Sequence, residues 1–364
     1  MKTYPLKSLT MEEATKKQFQ LVDAITQVFQ GAEFLTRGDL GVVPGYNQPI
    51  TTHKVEEVLA TFFQAEAAML VRGAGTMAIR LALHASIPRE GTILVHDAPI
   101  YPTTQTSFEM LGLKALKVDF NKIHKVKEVM QHKKMDGVLI QLTRQKPDDS
   151  YNSEEIIHII KEQFPDLPII TDDNYAVLKI AQMGTEQGAS LSCFSTFKVL
   201  GPEGVGCIVG EKKFIEKLRK ENYSGGLQVQ GHESLDVLRG MVYAPVSLAL
   251  SAQVAEETCA RLNKGELPEV KEAFLANAQS KVILVTFNEP IAKSVLKKAE
   301  ELGAAPNPIG AESKYEIIPM FYKVSGTFRQ AMPEMDETTI RINPMRSGAD
   351  TIIRILREAI NDRD

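Results

Sequence analysis

Cysteine is scarce in this 364-residue chain. Cys193, Cys207 and Cys259 lie far apart, in none of the C-x-x-C spacings that suggest zinc or redox chemistry. They read as reduced, buried thiols, and no metal is expected. Positive charge is not in excess either: 42 lysines and arginines face 46 acids, a formal net charge of −4. A chain so balanced has no global basic field to hold nucleic acid or an anionic membrane. No uninterrupted apolar run is long enough to span a bilayer. The opening Met1-Lys-Thr-Tyr-Pro5 lacks the apolar core of a signal peptide, so the chain reads as cytoplasmic. Neither an internal repeat nor a low-complexity stretch interrupts it. What remains is the profile of an ordinary folded protein, at a length that suits one large domain and a smaller one.

The hydrophobic pattern organises that length. Residues 11–30 predict an amphipathic helix, with Phe19, Val22, Ile25 and Phe29 at helical spacing. A glycine- and proline-rich loop follows from Gly38 to Pro49, then a helix over 53–64. From residue 67 short apolar strands alternate with helices: strands at 67–71, 92–96, 137–142, 168–172, 191–194 and 205–209, helices at 76–86, 103–112, 124–134 and 153–164. This alternation predicts a mostly parallel sheet with helices on both faces. After Gly240 the pattern changes to a helix near 246–263, strands at 282–287, 315–324 and 338–343, and helices at 290–302 and 348–361. The expected fold is therefore α/β, a large domain with a mostly parallel sheet plus a smaller C-terminal α+β domain. The expected divisions are an N-terminal helical segment over 1–45, a large domain over 46–240 and a small one over 241–364.

Four segments carry chemistry. In Arg72-Gly-Ala-Gly-Thr-Met77, glycines between a strand and an apolar helix allow backbone N–H groups to approach a phosphate at a helix N-terminus. The plainer alternative is a simple turn. In Pro168-Ile-Ile-Thr-Asp172-Asp173-Asn174-Tyr175, a strand ends in a carboxylate where open α/β sheets bind ligands. Such a carboxylate can keep a pyridine nitrogen protonated, or it can cap a helix. In Cys193-Phe-Ser195-Thr-Phe-Lys198-Val-Leu-Gly201-Pro-Glu-Gly204, a lysine with apolar flanks follows a strand. Partial burial lowers a lysine's pKa and frees its amine for a Schiff base, whereas an isolated lysine defaults to a solvated face. No other lysine in the chain lies in a comparable strand-end position. In Thr338-Thr-Ile-Arg341-Ile-Asn-Pro344, an arginine between isoleucines is either a fork for a substrate carboxylate or half of an internal ion pair.

Taken together, Gly75, Tyr101, Asp172, Lys198 and Arg341 stand in an order that resembles the fold type I pyridoxal-phosphate enzymes, over roughly residues 46–361. Ala74-Gly-Thr-Met-Ala78, Tyr101-Pro-Thr-Thr104, Asp172-Asp-Asn-Tyr-Ala176, Val55-Glu-Glu-Val-Leu-Ala60 and Ile340-Arg-Ile-Asn343 resemble the motifs of the Cys/Met-metabolism group, the cystathionine synthases and lyases and the methionine γ-lyases. The resemblance implies pyridoxal 5'-phosphate between the two domains, at the carboxyl edge of the large sheet. It implies a Schiff base at Lys198, which then acts as base, and Asp172, not Asp173, on the pyridine nitrogen. Tyr101 is implied to stack on the ring, Gly75, Thr76 and Ser195 to hold the phosphate, and Arg341 to hold the α-carboxylate. An amino acid is the implied substrate, and a homodimer or dimer of dimers the implied assembly.

Two segments depart from the group. Its Tyr-x-Arg reads Tyr46-Asn-Gln48 here, and its Asn-Pro segment is replaced by Gln141-Leu-Thr-Arg-Gln-Lys-Pro147, closer to a divergent branch. Reaction type in this fold is set by such peripheral residues. Carbon–sulfur-lyase-like β/γ-elimination or related transsulfuration, an aminotransferase, and a non-catalytic regulator on the same fold therefore all stay open.

Overall fold

The computed structural model describes residues 2–144, 146–277, 282–310, 312–324 and 335–362. The chain divides into a large unit, Glu12–Leu142 with Tyr151–Pro245, and a small unit, Met1–Met11 with Thr143–Ser150 and Val246–Asp364. Residues 1–45, expected as a segment of their own, are thus shared between the two. The limit expected near 240 falls at Pro245, inside a single helix over Gly231–Asn263. No turn marks that position, so the pattern of loops could not reveal it.

The large unit is built on seven strands: β1 (Ala67–Arg72), β2 (Thr92–His96), β3 (Lys114–Val118), β4 (Gly137–Gln141), β5 (Ile169–Asp172), β6 (Leu191–Ser195) and β7 (Val205–Gly210). Their order is β1-β7-β6-β5-β4-β2-β3. All neighbours are parallel except β7, which runs antiparallel to both β1 and β6. The central strands are continuous apolar runs because both faces are covered. Alternate residues of β2 show the two sides. Ile93 and Val95 pack with Ala78, Ile79 and Leu83, whereas Leu94 packs with Val126, Ile156 and Ile160. The helices concerned are α4 (Ala74–Ser86), α6 (Ile123–His132) and α7 (Ser153–Gln163), which follow α1 (Met11–Val28), α2 (Gly31–Phe34), α3 (Ile50–Phe62) and α5 (Pro102–Leu111) in the chain scheme. Then come α8 (Lys212–Glu221) and α9 (Gly231–Asn263). By length and composition alone Gly225–Asn263 could cross a membrane, but 56% of its apolar window is buried in the protein, as in a core helix.

The edge strand β3 was not expected from the sequence. Its Lys114 and Lys117 are exposed, the usual treatment of an edge, and they mask the strand pattern.

The small unit holds an antiparallel sheet ordered β10-β11-β9-β8, from β8 (Val270–Leu275), β9 (Ile283–Phe287), β10 (Met320–Lys323) and β11 (Thr339–Asn343). One face packs on α10 (Ala292–Glu301) and the final helix Ala349–Asn361 through Ile283, Val285, Val295, Ile352 and Leu356. Thr143–Ser150 belongs here. Asn277 Nδ2 donates to the carbonyls of Lys146, Pro147 and Asp149 at 2.8–2.9 Å, and its Oδ1 accepts the Tyr4 N–H at 2.6 Å. Arg144 donates to the carbonyls of Tyr4 and Asp149. Within the divergent Gln141–Pro147 segment, Arg144, Lys146 and Pro147 thus help to fasten this unit, and its Gln145 lies outside the described residues.

Candidate active site

Parallel strands deliver their ends to one edge of the sheet, and the large unit's candidates collect there. β1 leads into α4, whose first turn carries Gly75 and Thr76. Among the described residues neither backbone N–H of that pair has an acceptor, as expected of a helix start. These two donors, with the positive end of the helix dipole, suit a phosphate. Gly75 is required by space: a Cβ there would sit 2.8 Å from the Asn174 amide. β2 leads to Tyr101, just before α5 and 58% exposed. Thr76 Oγ1 donates to Thr103 Oγ1 at 3.2 Å and ties the starts of α4 and α5 together.

β5 ends on Asp172, which is 9% exposed. Its Oδ1 accepts the Asn174 backbone N–H at 3.0 Å and the Asn174 amide at 2.8 Å, and both bonds fall on that one oxygen. Burial pushes this carboxyl above the ordinary aspartate range, opposed by the Asn174 bonds and the charge of Lys198. Asn174 Oδ1 in turn accepts the Ser195 N–H at 3.0 Å, so it braces the ends of β5 and β6 together. Ser195 itself is buried at that junction.

Asp173 points elsewhere. Fully buried, it accepts Thr171 Oγ1 at 2.6 Å on Oδ2 and the Gly184 N–H at 2.9 Å on Oδ1, with Ser192 nearby. Burial pushes its pKa up to about 6.

Lys198 lies in the short turn Thr196–Val199 after β6 and is half-buried, as its apolar flanks suggest. Thr196 holds the turn, its Oγ1 donating to the Val205 carbonyl at 3.0 Å and its own carbonyl accepting the Gly201 N–H at 2.9 Å. The turn closes through Leu200 in a left-handed conformation, φ 65°. Gly240 of α9 lies against it, where a Cβ would stand 2.2 Å from the Leu200 carbonyl oxygen. Lys198 Nζ sits 3.8 Å from the centroid of the Tyr175 ring.

Tyr175 and Asn174 have no role in the sequence reading, although both stand inside a quoted motif. A tyrosine three residues after a strand-end aspartate returns on the turn to the same edge, and that spacing was the available signal. Gln48, where the related group has arginine, is buried: it donates to Glu56 Oε2 at 3.0 Å and lies 3.2 Å from His53 Nδ1. Glu56 also accepts the Leu70 N–H and an Arg219 N–H, so Gln48 completes a buried polar knot.

Arg341 belongs to the small unit. On β11 and opposite Tyr322 of β10, its guanidinium lies 4.2 Å from the Tyr322 ring centroid and its Nε donates to the Lys323 carbonyl at 2.7 Å. The three cysteines are free and buried, with their thiols pushed above the ordinary range by burial.

The aminotransferase class-V family matches residues 15–236, and the YhfS-like C-terminal domain matches residues 256–356. The chain is 54% identical over 360 residues to the uncharacterized protein YhfS of Escherichia coli (strain K12), covering 99% of each. A crystal structure of the pyridoxal-5'-phosphate dependent protein YhfS from Escherichia coli matches with a TM-score of 0.98 at 53% identity, over 99% of both chains. A methionine gamma lyase from Micromonospora echinospora shares the fold at 15% identity, TM-score 0.73, over 94% of this chain and 98% of that one. So does a carbon-sulfur lyase involved in aluminum resistance from Clostridium novyi NT, at 18% identity, TM-score 0.71, over 96% and 90%. The fold is type I of the pyridoxal-phosphate enzymes. Within it, this chain belongs to the aminotransferase class-V family, with a YhfS-like C-terminal domain.

Proposed function

We propose that the chain is a pyridoxal-phosphate-dependent enzyme that acts on an amino acid by β- or γ-elimination, as a carbon–sulfur lyase or in related transsulfuration chemistry. The observation that carries the cofactor dependence is the gathering of Gly75, Thr76, Tyr101, Asp172 and Lys198 at one edge of the large sheet. These residues fit the cofactor: unpaired N–H groups at a helix start for its phosphate, an exposed aromatic for its ring, a carboxylate with an unspent oxygen for its pyridine nitrogen, and an amine for its aldehyde. Bound there, pyridoxal 5'-phosphate supplies an electron sink for negative charge at the substrate's Cα.

The chain's own residues do the rest. Lys198 would hold the cofactor through its amine, and that amine, when neutral, would take the α-proton of a bound substrate. Asp172 keeps a proton on the pyridine nitrogen. Tyr101 covers the ring and can pass a proton to a leaving group. Ser195 adds a hydroxyl near the phosphate, and Arg341 grips the α-carboxylate with paired hydrogen bonds.

The likeness to a methionine gamma lyase and a carbon-sulfur lyase supports elimination. The class-V match to residues 15–236 favours an aminotransferase as the second reading. A non-catalytic role has less support, since the lysine and its aspartate are both retained. Purified protein incubated with a panel of sulfur-containing and other amino acids separates these. Elimination releases ammonia and a keto acid, with sulfide or thiol, and needs no acceptor. Keto acid formed only when a second keto acid is supplied, without ammonia, would replace elimination by transamination.

We also infer a homodimer. Leu35, Leu40, Val42, Tyr46 and Leu227 are exposed along the 35–50 loop and its neighbour at 225–227, an apolar face that a second copy would cover. Light scattering that shows only a 40.3 kDa species at micromolar concentration would remove this inference.

A further inference from the structure

The turn that leads into α3 is fastened to that helix by a single amide. Residues 43–48 close on themselves. The Val43 N–H donates to the Gln48 carbonyl at 3.1 Å, and the Val43 carbonyl accepts the N–H groups of Tyr46 and Asn47. Tyr46 stands exposed on this turn, its ring centroid 4.7 Å from that of His53 in the first turn of α3.

The link is the buried side chain of Gln48. Its Nε2 has two protons and two neighbours, Glu56 Oε2 at 3.0 Å and His53 Nδ1 at 3.2 Å. Glu56 decides which way the amide faces. Its carboxylate also accepts the Leu70 N–H at 2.8 Å and Arg219 Nη2 at 2.9 Å, a set of donors that suits an anion. The amide therefore presents its nitrogen, and His53 Nδ1 can only accept. The proton of the neutral ring is left to Nε2, 3.2 Å from Glu57 Oε1.

A second proton on His53 has no place in this arrangement. A protonated Nδ1 would meet the Gln48 amide donor to donor. Turning the amide over would satisfy His53 but set an oxygen against the Glu56 carboxylate, so one of the two bonds has to go. Facing His53 are Glu57 from its own helix, Tyr46 and Gln48 from the turn, Glu216 and Arg219 from α8, and Glu56 behind Gln48. Burial, with the Arg219 charge, outweighs Glu57 and Glu216 and keeps the ring's pKa below the ordinary histidine value.

We propose that His53 and Gln48 form a proton-operated latch: neutral His53 holds the 43–48 turn through the Gln48 amide, and a proton on Nδ1 breaks that hold and frees Tyr46. With a folded pKa below that of the unfolded chain, the hold is complete above the unfolded value and lost as pH falls through the folded one. The latch rests on neither the cofactor reading nor the inferred homodimer.

Full-length protein labelled with nitrogen-15 histidine tests it by magnetic resonance, together with backbone hydrogen exchange of the 43–48 peptide. Neutral His53 should carry its proton on Nε2, and its midpoint should lie below about 6.5. Protection of the 43–48 peptide, corrected for the intrinsic effect of pH, should fall about tenfold through the same midpoint. Gln48→Met removes the donor without changing charge, and the His53 midpoint should rise by about one pH unit. His53→Phe keeps a ring beside Tyr46 and cannot take a proton, so its 43–48 protection should not change over that range. A proton on Nδ1 of the neutral ring, an unmoved midpoint in Gln48→Met, or an equal loss of protection in His53→Phe overturns the proposal. Should either variant fail to fold, the unaltered chain still decides: protection that is constant through the His53 midpoint overturns the latch.

Discussion

Two kinds of polar region sit within the large unit, made from the same residue types and used in opposite ways. In the buried knots, hydrogen-bonding capacity is consumed. Asp173 accepts on both oxygens, and Glu56 accepts from Leu70, Gln48 and Arg219. At the carboxyl edge of the sheet capacity is kept: Asp172 carries its bonds on one oxygen, and the N–H groups of Gly75 and Thr76 have no acceptor among the described residues. Neighbouring aspartates, both buried, thus differ by what their oxygens already hold. On the proposed reading, spent groups fasten the fold and unspent ones are left for the cofactor.

Breaking the edge should cost activity, and breaking the knots should cost stability. The largest effect is expected at Lys198→Ala, which should lose the covalently held cofactor and its visible absorption band, with activity lower by about 10²–10⁴-fold or more. A band like that of the unaltered protein, surviving gel filtration, would move the assignment, and the buried Lys179 would be the next amine to examine.

Asp172→Asn should still bind cofactor while kcat falls on the order of 10²–10³-fold, as for the loss of one preorganised electrostatic partner. Steady-state kinetics on the cofactor-saturated protein measure this, and near-normal turnover would take Asp172 off the pyridine nitrogen.

Arg341→Lys sharpens the comparison in the small unit. Loss of a paired arginine–carboxylate contact costs roughly 1.5–3 kcal/mol, so kcat/KM should fall about ten- to a hundred-fold with the melting temperature little changed. The reverse pattern, a lower melting temperature with unaltered kinetics, would make Arg341 a prop for β10 through its bond to Lys323 and its packing on Tyr322.

The smallest effect on activity is expected at Asp173→Asn, within about threefold. Its signature is pH-dependent stability. An acid whose folded pKa is raised from 3.8 to about 6 contributes its full stability below the unfolded value and loses it as pH rises through the folded one. The fold should give up on the order of 3 kcal/mol across that window. In Asp173→Asn this loss is absent, so its melting temperature should draw closer to that of the unaltered protein between pH 4 and 7, within about that free energy. A constant difference would show that Asp173 is ionised throughout.

The parts legible in the sequence are those where one local pattern determines structure. Continuous apolar runs such as Gly137–Gln141 and Val205–Gly210 read as buried strands because both of their faces are covered. The glycine turn, Asp172 and Lys198 fall at strand ends that could be counted from those runs. What escaped depends on pairing at a distance. β3 hides behind edge lysines, β8 behind Lys271 and Glu272, and the unit boundary inside α9. Lys179 carried the same signal as Lys198, a lysine among apolar residues, but it follows no strand directly. Only the turn through Tyr175 and Leu178, both in left-handed backbone, brings it beside the Tyr175 ring that Lys198 also meets.

The make-up of the small unit has a consequence for synthesis. It is assembled from residues 1–11, 143–150 and everything after 245, and its fastening residue is Asn277, which binds the Tyr4 N–H and three carbonyls of the 143–150 segment. On the ribosome the first of these pieces emerges more than 260 residues before Asn277 does. The amino terminus and the middle segment must therefore wait, unpaired, while the large unit folds around their attachment points. Until Asn277 has emerged, the nascent chain holds a complete sheet at residues 67–210 while its first segment lacks the residue that binds it.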